Sequence, residues 1–336
     1  MNAYHIQPGG GLDTLRPVTL PDPEPGPDEV LIRVRANSLN YRDTLILHGR
    51  YGRTAPGPLI PLSDGAGEII AVGANVEGFR HGDRVAGNFM RRWAGGRPDE
   101  RAFRSALGGD TPGALAECIT LPASGVVRIP DHLSFEEAAT LPCAAVTAWN
   151  ALTAAAPEPG QTLLLLGTGG VSVFGLQLGR AFGLETIVTS SSDEKLARAR
   201  ELGARHTINY RQHPDWDRPV RDLTGGRGVD HVVEVGGPGT LERSLRAAAV
   251  GGVISLIGLL DTPDRQPSIL PAIGGGITIR GVYVGSTEMF AAMNRAIAAH
   301  RIRPVIDRAF PFDAAREAYA YFEQQKHFGK VVITHA

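Results

Sequence analysis

Residues 162–183, TLLLLGTGGVSVFGLQLGRAFG, constrain this chain more than any other stretch. Four consecutive leucines at 163–166 form a short apolar run, as expected of a strand buried on both faces of a parallel sheet. Gly167, Gly169 and Gly170 follow at once, and apolar residues then recur at mostly helical spacing to Phe182. Strand, glycine turn and helix in that order form the context in which a glycine motif binds phosphate. The glycines let the backbone turn tightly and approach a pyrophosphate. The first N–H groups of the helix, with its positive dipole end, face the anion. Gly167, Thr168, Gly169, Gly170 and Val171 are therefore candidate cofactor contacts. The third glycine of G-x-G-x-x-G is Ser172 here, small enough for the close helix–strand packing that this position serves. By itself the pattern also fits an ordinary strand–loop–helix connection.

A chain of 336 residues is long enough for two domains. Its net charge of −1 argues against a nucleic-acid partner, which calls for clustered basic residues. No apolar run is long enough to span a bilayer, and MNAYHIQPGG lacks the apolar core of a signal peptide. A cytoplasmic protein is the expectation. Two cysteines, Cys118 and Cys143, cannot build a disulfide framework or a four-cysteine zinc site.

The first 130 residues read mostly as β structure. EVLIRVRA at 29–36 alternates as a half-buried strand does, and 68–72, 84–86 and part of 113–121 are further strands. Residues 88–110 are polar and arginine-rich without a clean period, and read as a surface lobe or loop, in part helical. Ser134 and Glu137 form a capping-box pattern for a helix over 134–141, which Pro142 interrupts before a second helix over 144–152. Beyond the glycine turn, strands are expected at 186–189, 207–209, 230–235, 252–256 and 277–282. Helices alternate with them at 193–202, 215–223 and 240–247. That alternation implies a doubly wound parallel sheet. Helices at 286–299 and 313–325 and a strand at 330–334 close the chain.

The order and spacing of EVLIRVRANSLNYRD, PLSDGAGEIIAVG, GDRVAG, AATLPCAAVTAWNAL, the nucleotide turn, DEKLARARELGA, GVDHVVEVGG and HFGKVVI resemble the medium-chain dehydrogenase/reductase superfamily almost from end to end. The resemblance implies an α/β architecture: a β-rich GroES-like catalytic domain (1–144 plus 285–336) with a Rossmann domain (145–284) inserted. It implies a catalytic cleft between the two. The chain is most similar to the zinc-free branch, near quinone oxidoreductases and zinc-free alcohol dehydrogenase-like proteins. Zinc-type members carry a cysteine where Asn40 stands, a histidine–glutamate pair where Ser63 and Asp64 stand, and a cysteine at Cys143. A catalytic zinc takes about three protein ligands from His, Cys and carboxylate. Asp64 and Cys143 supply two, so no metal is expected.

An acidic residue about 20 positions past the turn holds the ribose 2′-OH of NAD. Ser190 stands there, and a serine can donate to a 2′-phosphate that a carboxylate would repel. Ser191, Lys195 and Tyr210 lie nearby, and the resemblance gives similar Lys and Tyr positions a 2′-phosphate role. NADPH is the expected cofactor, with NADH as the alternative. Ser191 or Ser192 could equally cap the next helix. The resemblance adds Thr147, Gly236, Ile257 with the adjoining Gly258 and Leu259, and Val282 through Val284 as further cofactor contacts.

A nicotinamide donates hydride, so the substrate must offer an electrophilic carbon. Without a metal, hydrogen bonds from Asn40, Tyr41 or Ser63 must polarise the oxygen. Quinones and enones are easier targets than plain carbonyls because the charge delocalises. Asn40, Tyr41, Asp43, Ser63 and Asp64 are the candidate catalytic residues; Arg42 and Asp43 fit equally a role in fixing the loop. The expected activity is a zinc-independent, NADPH-dependent oxidoreductase acting on a small-molecule quinone, enone or carbonyl. One alternative is an alcohol dehydrogenase of zinc-type ancestry acting on alcohols or aldehydes. Another is a weakly catalytic sensor or structural protein that binds NAD(P). The resemblance implies a homodimer paired through the strand at 277–284.

Overall fold

The computed structural model describes every residue except 53, 259 and 261–265. The chain divides into two compact units, residues 1–146 with 284–336, and residues 147–283.

The 147–283 unit is built on six parallel strands. In chain order they are Thr162–Leu166, Glu185–Ser190, His206–Asn209, Val229–Glu234, Ala248–Leu256 and Thr278–Gly281. Their spatial order is 3-2-1-4-5-6, the doubly wound arrangement that binds dinucleotides where the order reverses. All five residues of Thr162–Leu166 are buried, as the leucine run requires of a central strand. Helix Gly170–Ala181 lies close against it. A Cβ on Gly175 would come within 2.6 Å of Leu165 Cδ2, and one on Gly179 within 2.8 Å of Leu163 Cδ2. The close packing expected at position 172 is thus supplied by Gly175 and Gly179, one helical turn apart. Ser172 instead donates its hydroxyl to the Leu166 carbonyl at 2.6 Å.

The other unit carries a seven-stranded sheet and a separate two-stranded pair, Asn2–His5 with Arg16–Thr19. At the sheet's centre, Glu29–Ser38 runs antiparallel to Asp64–Val72 on one side. On the other it pairs with Cys118–Pro122 through its first half and with Lys330–Thr334 through its last residues. Ser38 faces both Asp64 and Val332 in register. This triple coincidence gathers residues from three distant stretches at one end of the sheet. Asn40–Tyr41 opens a short helix, Tyr41–Leu47, where a loop was expected. Helix Ala315–Glu323 packs its buried face, including Tyr319 and Phe322, into a core with Leu39, Ile46, Leu47 and Leu62.

The Ser134 capping box is present, with Ser134 Oγ accepting from Glu137 N at 3.2 Å and Glu137 Oε2 accepting from Ser134 N at 2.9 Å. Pro142 does not end the helical path; residues Leu141–Ala145 form a π-type turn leading into Val146–Thr153. Proline lacks the N–H that regular α-helix would use there. The 88–110 lobe holds a short helix, Glu100–Phe103, and a core of its own: Phe89, Met90, Trp93, Ala102 and Ala106 are buried together. Reading it as a surface loop missed these apolar residues because they lie at irregular spacing among arginines. Among the described residues no helix is long and apolar enough to cross a membrane.

Candidate active site and dinucleotide site

Every strand of the parallel sheet ends at a candidate cofactor residue. Gly167 follows Leu166, Ser190 closes its strand, Tyr210 follows Asn209, Gly236 lies two beyond Glu234, Ile257 follows Leu256 and Val282 follows Gly281. Because the strands are parallel, all six lie along one edge of the sheet. Gly167 has φ +73°, the left-handed region that favours glycine, and no atom lies within 4 Å of a Cβ built on Gly167 or Gly169. The twelve-residue helix that begins at Gly170 has no side-chain cap on its N-cap residue, Gly169. An open glycine backbone at an uncapped helix N-terminus fits a pyrophosphate. Thr168 is buried, and Val171 is half-buried in the first turn.

The second strand ends beside the turn, with Thr189 Oγ1 accepting from Gly167 N at 3.3 Å. Ser190 is buried, and its carbonyl accepts from Tyr210 N at 3.0 Å, which brings the half-exposed Tyr210 alongside. Ser192 is the helix cap, accepting from Lys195 N at 3.3 Å. Ser191 and Lys195 are half-buried next to it. Asp193 accepts from Asn209 Nδ2 at 2.8 Å and from Gln212 Nε2 at 3.0 Å, so its carboxylate ties the helix start to the third strand. The residues fit a dinucleotide, and the end of the second strand carries hydroxyl and ammonium groups.

Glu234 organises the fourth strand end. This buried carboxylate accepts from Gly236 N at 2.8 Å, Gly237 N at 3.0 Å and Thr240 Oγ1 at 2.6 Å, and from Ser244 Oγ. Ile257 donates its N–H to the Glu234 carbonyl at 2.9 Å. Leu259 lies outside the described residues. Thr147 is buried at the start of its helix. Val284 belongs to the other unit, buried against the lobe core with φ +48°, a strained conformation for a β-branched residue.

In the 1–146 and 284–336 unit, the sheet register assembles the polar site. Val332 pairs with Ser38 antiparallel, and continuing two residues sets Lys330 across from Asn40. Lys330 is 2% exposed. Its Nζ donates to the Leu39 carbonyl at 2.7 Å and to Asn40 Oδ1, and lies 3.7 Å from Asp64 Oδ2. Ser63 is wholly buried and donates to Asp64 Oδ1 at 2.8 Å. Asp64 Oδ2 and Asn40 Nδ2 are buried without a hydrogen-bond partner. Burial raises the Asp64 pKa above the usual carboxylate range, with the Lys330 charge opposing.

Asp43 sits at the third position of the helix and accepts from Asn40 N at 2.8 Å. Burial pushes its pKa up to about 6 despite the adjacent Arg42 guanidinium. Arg42 donates to Asp43 at 3.3 Å and to the Leu107 carbonyl at 2.8 Å, and its guanidinium lies over the rings of Phe89 and Tyr51. It therefore ties this helix to the lobe. Tyr41 is half-buried in the first turn.

Leu62, just before Ser63, has φ +69°. Glycines of the adjoining segment make room for it: a Cβ on Gly108 or Gly113 would strike the Leu62 backbone at 2.7 or 2.2 Å. Strain of this kind, held by its surroundings, fixes the Ser63–Asp64 turn.

The donor set does not fit a catalytic zinc. Asn40 and Ser63 are not zinc-binding side chains, the Cys143 thiol is held far toward its protonated form by burial, and a lysine ammonium already sits between Asn40 and Asp64. Among the described residues no group of three His, Cys, Asp or Glu could hold a metal. Lys330 was visible in the sequence only as the one charged residue opening the apolar KVVI.

The parallel sheet with its glycine turn, joined in one chain to a mostly antiparallel sheet carrying a buried polar site, defines an NAD(P)-dependent oxidoreductase. Family models agree: residues 26–131 match the alcohol dehydrogenase GroES-like domain and 170–299 the zinc-binding dehydrogenase domain. The chain is 47% identical over 331 residues to a zinc-type alcohol dehydrogenase-like protein of Schizosaccharomyces pombe, covering 96% of each. It is 32% identical to a quinone oxidoreductase of Pseudomonas aeruginosa, again over 96% of each chain. A solved structure described as an NAD-dependent alcohol dehydrogenase is 34% identical, with a TM-score of 0.90 over 99% of both chains. The chain belongs to the medium-chain dehydrogenase/reductase superfamily.

Proposed function

We propose that this chain is a zinc-independent, NADPH-dependent oxidoreductase that reduces a quinone, enone or other activated carbonyl compound. The observation that carries the metal-free reading is the Lys330 ammonium held by Asn40 and Leu39 beside Asp64. When bound, NADPH supplies a hydride. The chain's own residues do the rest. Backbone N–H groups at Thr168–Gly170 receive the pyrophosphate, and Ser190, Ser191, Lys195 and Tyr210 bind the 2′-phosphate. Asn40 Nδ2 donates to the substrate oxygen, with Tyr41 as a second donor. Ser63 acts on Asp64, since its hydroxyl is already directed there. A hydrogen bond without a metal gives modest polarisation, which suits acceptors that delocalise the new charge.

The test compares kcat/KM for NADPH and NADH, in the parent and in Ser190→Asp. The parent should prefer NADPH, and the variant should shift toward NADH because a carboxylate repels the 2′-phosphate. A parent that already prefers NADH overturns the cofactor assignment. Stoichiometric zinc required for turnover overturns the mechanism. The alcohol dehydrogenase reading draws support from the names of two relatives, and NADH oxidation with aldehydes would favour it. Dinucleotide binding without turnover would favour a sensor.

A homodimer through the sheet edge is part of this proposal. Strand Thr278–Gly281 is the edge of its sheet, and an open edge invites pairing. The preceding helix Leu270–Gly275 buries none of its residues, with Leu270 and Ile273 exposed at 71% and 74%. Light scattering should give twice the chain mass, and Ile279→Lys should lower it.

A further inference from the structure

The N-cap residue of a helix ordinarily spends its side chain on the helix backbone. The Asn40 side chain, in a capping box with Asp43, does more. Asp43 covers the helix start by accepting the Asn40 N–H, and the Asn40 side chain turns to Lys330. An ammonium can only donate, so it accepts no hydrogen bond and must face the amide oxygen. Lys330 therefore fixes which way the amide points: Oδ1 toward Nζ, Nδ2 away from it. The remaining Nδ2, on a residue that is 7% exposed, makes no hydrogen bond of normal geometry, and the Asp64 carboxylate is the acceptor the amide interacts with. A donor so placed costs stability unless something arrives to accept from it.

Lys330 is equally committed. It is 2% exposed, reaches Asn40 through the pairing of two strands almost three hundred residues apart, and is anchored by the Leu39 carbonyl. Its counter-charge is Asp64, whose Oδ2 stands 3.7 Å off in a loose buried ion pair while Asp64 Oδ1 accepts from Ser63. Asp43 and Arg42 are the other charged groups at this end of the sheet, and they pair with each other.

We propose that Lys330 is a positioning residue for the reaction: it locks the Asn40 amide with Nδ2 turned away from the ammonium and polarises it, so that Nδ2 donates to a substrate oxygen that enters beside it. This rests on the oxidoreductase reading above. Hydride addition to the substrate carbon moves an electron pair onto the conjugated oxygen. Nδ2–H stabilises that charge by a hydrogen bond and gives up no proton, and solvent supplies the proton that completes the reduced product. Drawing density from Oδ1 toward the ammonium makes the N–H the stronger donor, as in a hydrogen-bonded chain.

Asn40→Asp is the discriminating variant. It keeps an acceptor for Lys330 and gives it a full counter-charge, but it removes the donor. The melting temperature should be equal to or above that of the parent. With a quinone or enone substrate, kcat should fall about 100-fold, the size seen when one preorganised donor is lost, with little change in KM. Lys330→Met should lower kcat in the parent but add little in the Asn40→Asp background, because both changes remove one device. If Lys330→Met fails to fold, Asn40→Asp still decides. Parent-like kcat in Asn40→Asp, or fully additive losses in the double variant, overturns the inference. A parent that turns over none of these substrates overturns the oxidoreductase reading itself, and this inference with it, whereas turnover that survives Asn40→Asp overturns this inference alone.

Discussion

Glu234 closes a strand of the parallel sheet, and Asp64 opens a strand of the antiparallel one. Both carboxylates have no exposed surface. In both, burial raises the pKa while local partners oppose it. Their surroundings differ. Glu234 accepts from two backbone N–H groups and two hydroxyls, all within ten residues along the chain. Asp64 has one hydroxyl donor, an oxygen without a hydrogen bond, and a lysine drawn from the far end of the sequence. A buried charge that only holds a turn is saturated by its neighbours. Asp64, left short of partners beside the Asn40 amide, is consistent with the substrate role proposed for this site.

The contrast can be broken by substitution. Glu234→Gln should be the most damaging change, lowering unfolding stability by about 2–4 kcal/mol because it sets an NH2 group against buried donors. Urea denaturation followed by fluorescence measures it, and a loss below about 1 kcal/mol would remove the distinction from Asp64. Second comes the pH dependence from Asp43. Its folded pKa of about 6 exceeds the ordinary 3.8, so the folded state holds the proton more tightly. Its contribution is whole below about pH 4 and is lost as pH rises to about 6, up to about 3 kcal/mol in all. Asn at this position can still accept from Asn40 N, so Asp43→Asn should flatten stability between pH 4 and 6; an unchanged slope would place the titration elsewhere.

Asp64→Asn should lower stability by about 1–2 kcal/mol, since relief of a poorly solvated charge only partly offsets leaving the buried Lys330 ammonium without its counter-charge, and turnover should drop at least about tenfold. A stability loss matching that of Glu234→Gln would make the two carboxylates alike after all. The smallest effect is expected from Gly175→Ala. The added methyl must displace Leu165, at a cost of about 1–3 kcal/mol, while helix propensity returns about 1 kcal/mol. The net loss of about 0–2 kcal/mol should be smaller than for Glu234→Gln and should leave turnover unchanged.

These two regions also differ in how far the sequence discloses them. The parallel sheet is written locally: each strand is a short apolar run, each helix follows within a few residues, and the turn glycines stand in line. Strand and helix positions there shift by only a few residues between expectation and structure. The polar site is written in register. Asn40, Asp64 and Lys330 meet because Ser38 pairs with both Asp64 and Val332, and no local pattern encodes that coincidence. Lys330 accordingly escaped notice inside HFGKVVI, although a lysine heading an otherwise apolar strand is a residue in need of a buried acceptor. The strand Ile306–Pro311 was missed because IDRAFP lacks alternation, as sheet edges tolerate. Helix Tyr41–Leu47 was missed because it is only seven residues long, although Asn40 and Asp43 form a capping box at its start.

The interrupted chain path of the antiparallel unit has a consequence during protein synthesis. Residues 147–283 contain every strand of their own sheet and can close it as soon as they leave the ribosome. Residues 1–146 cannot, because Lys330–Thr334 must slot between Glu29–Ser38 and Ile306–Pro311. At translation rates of about 5–20 residues per second, Asp64 waits roughly 15–50 s for its lysine. Throughout that interval an apolar half-sheet with a buried-type carboxylate is exposed to the cell. The nascent N-terminal half is therefore the part of this enzyme with most need of a chaperone.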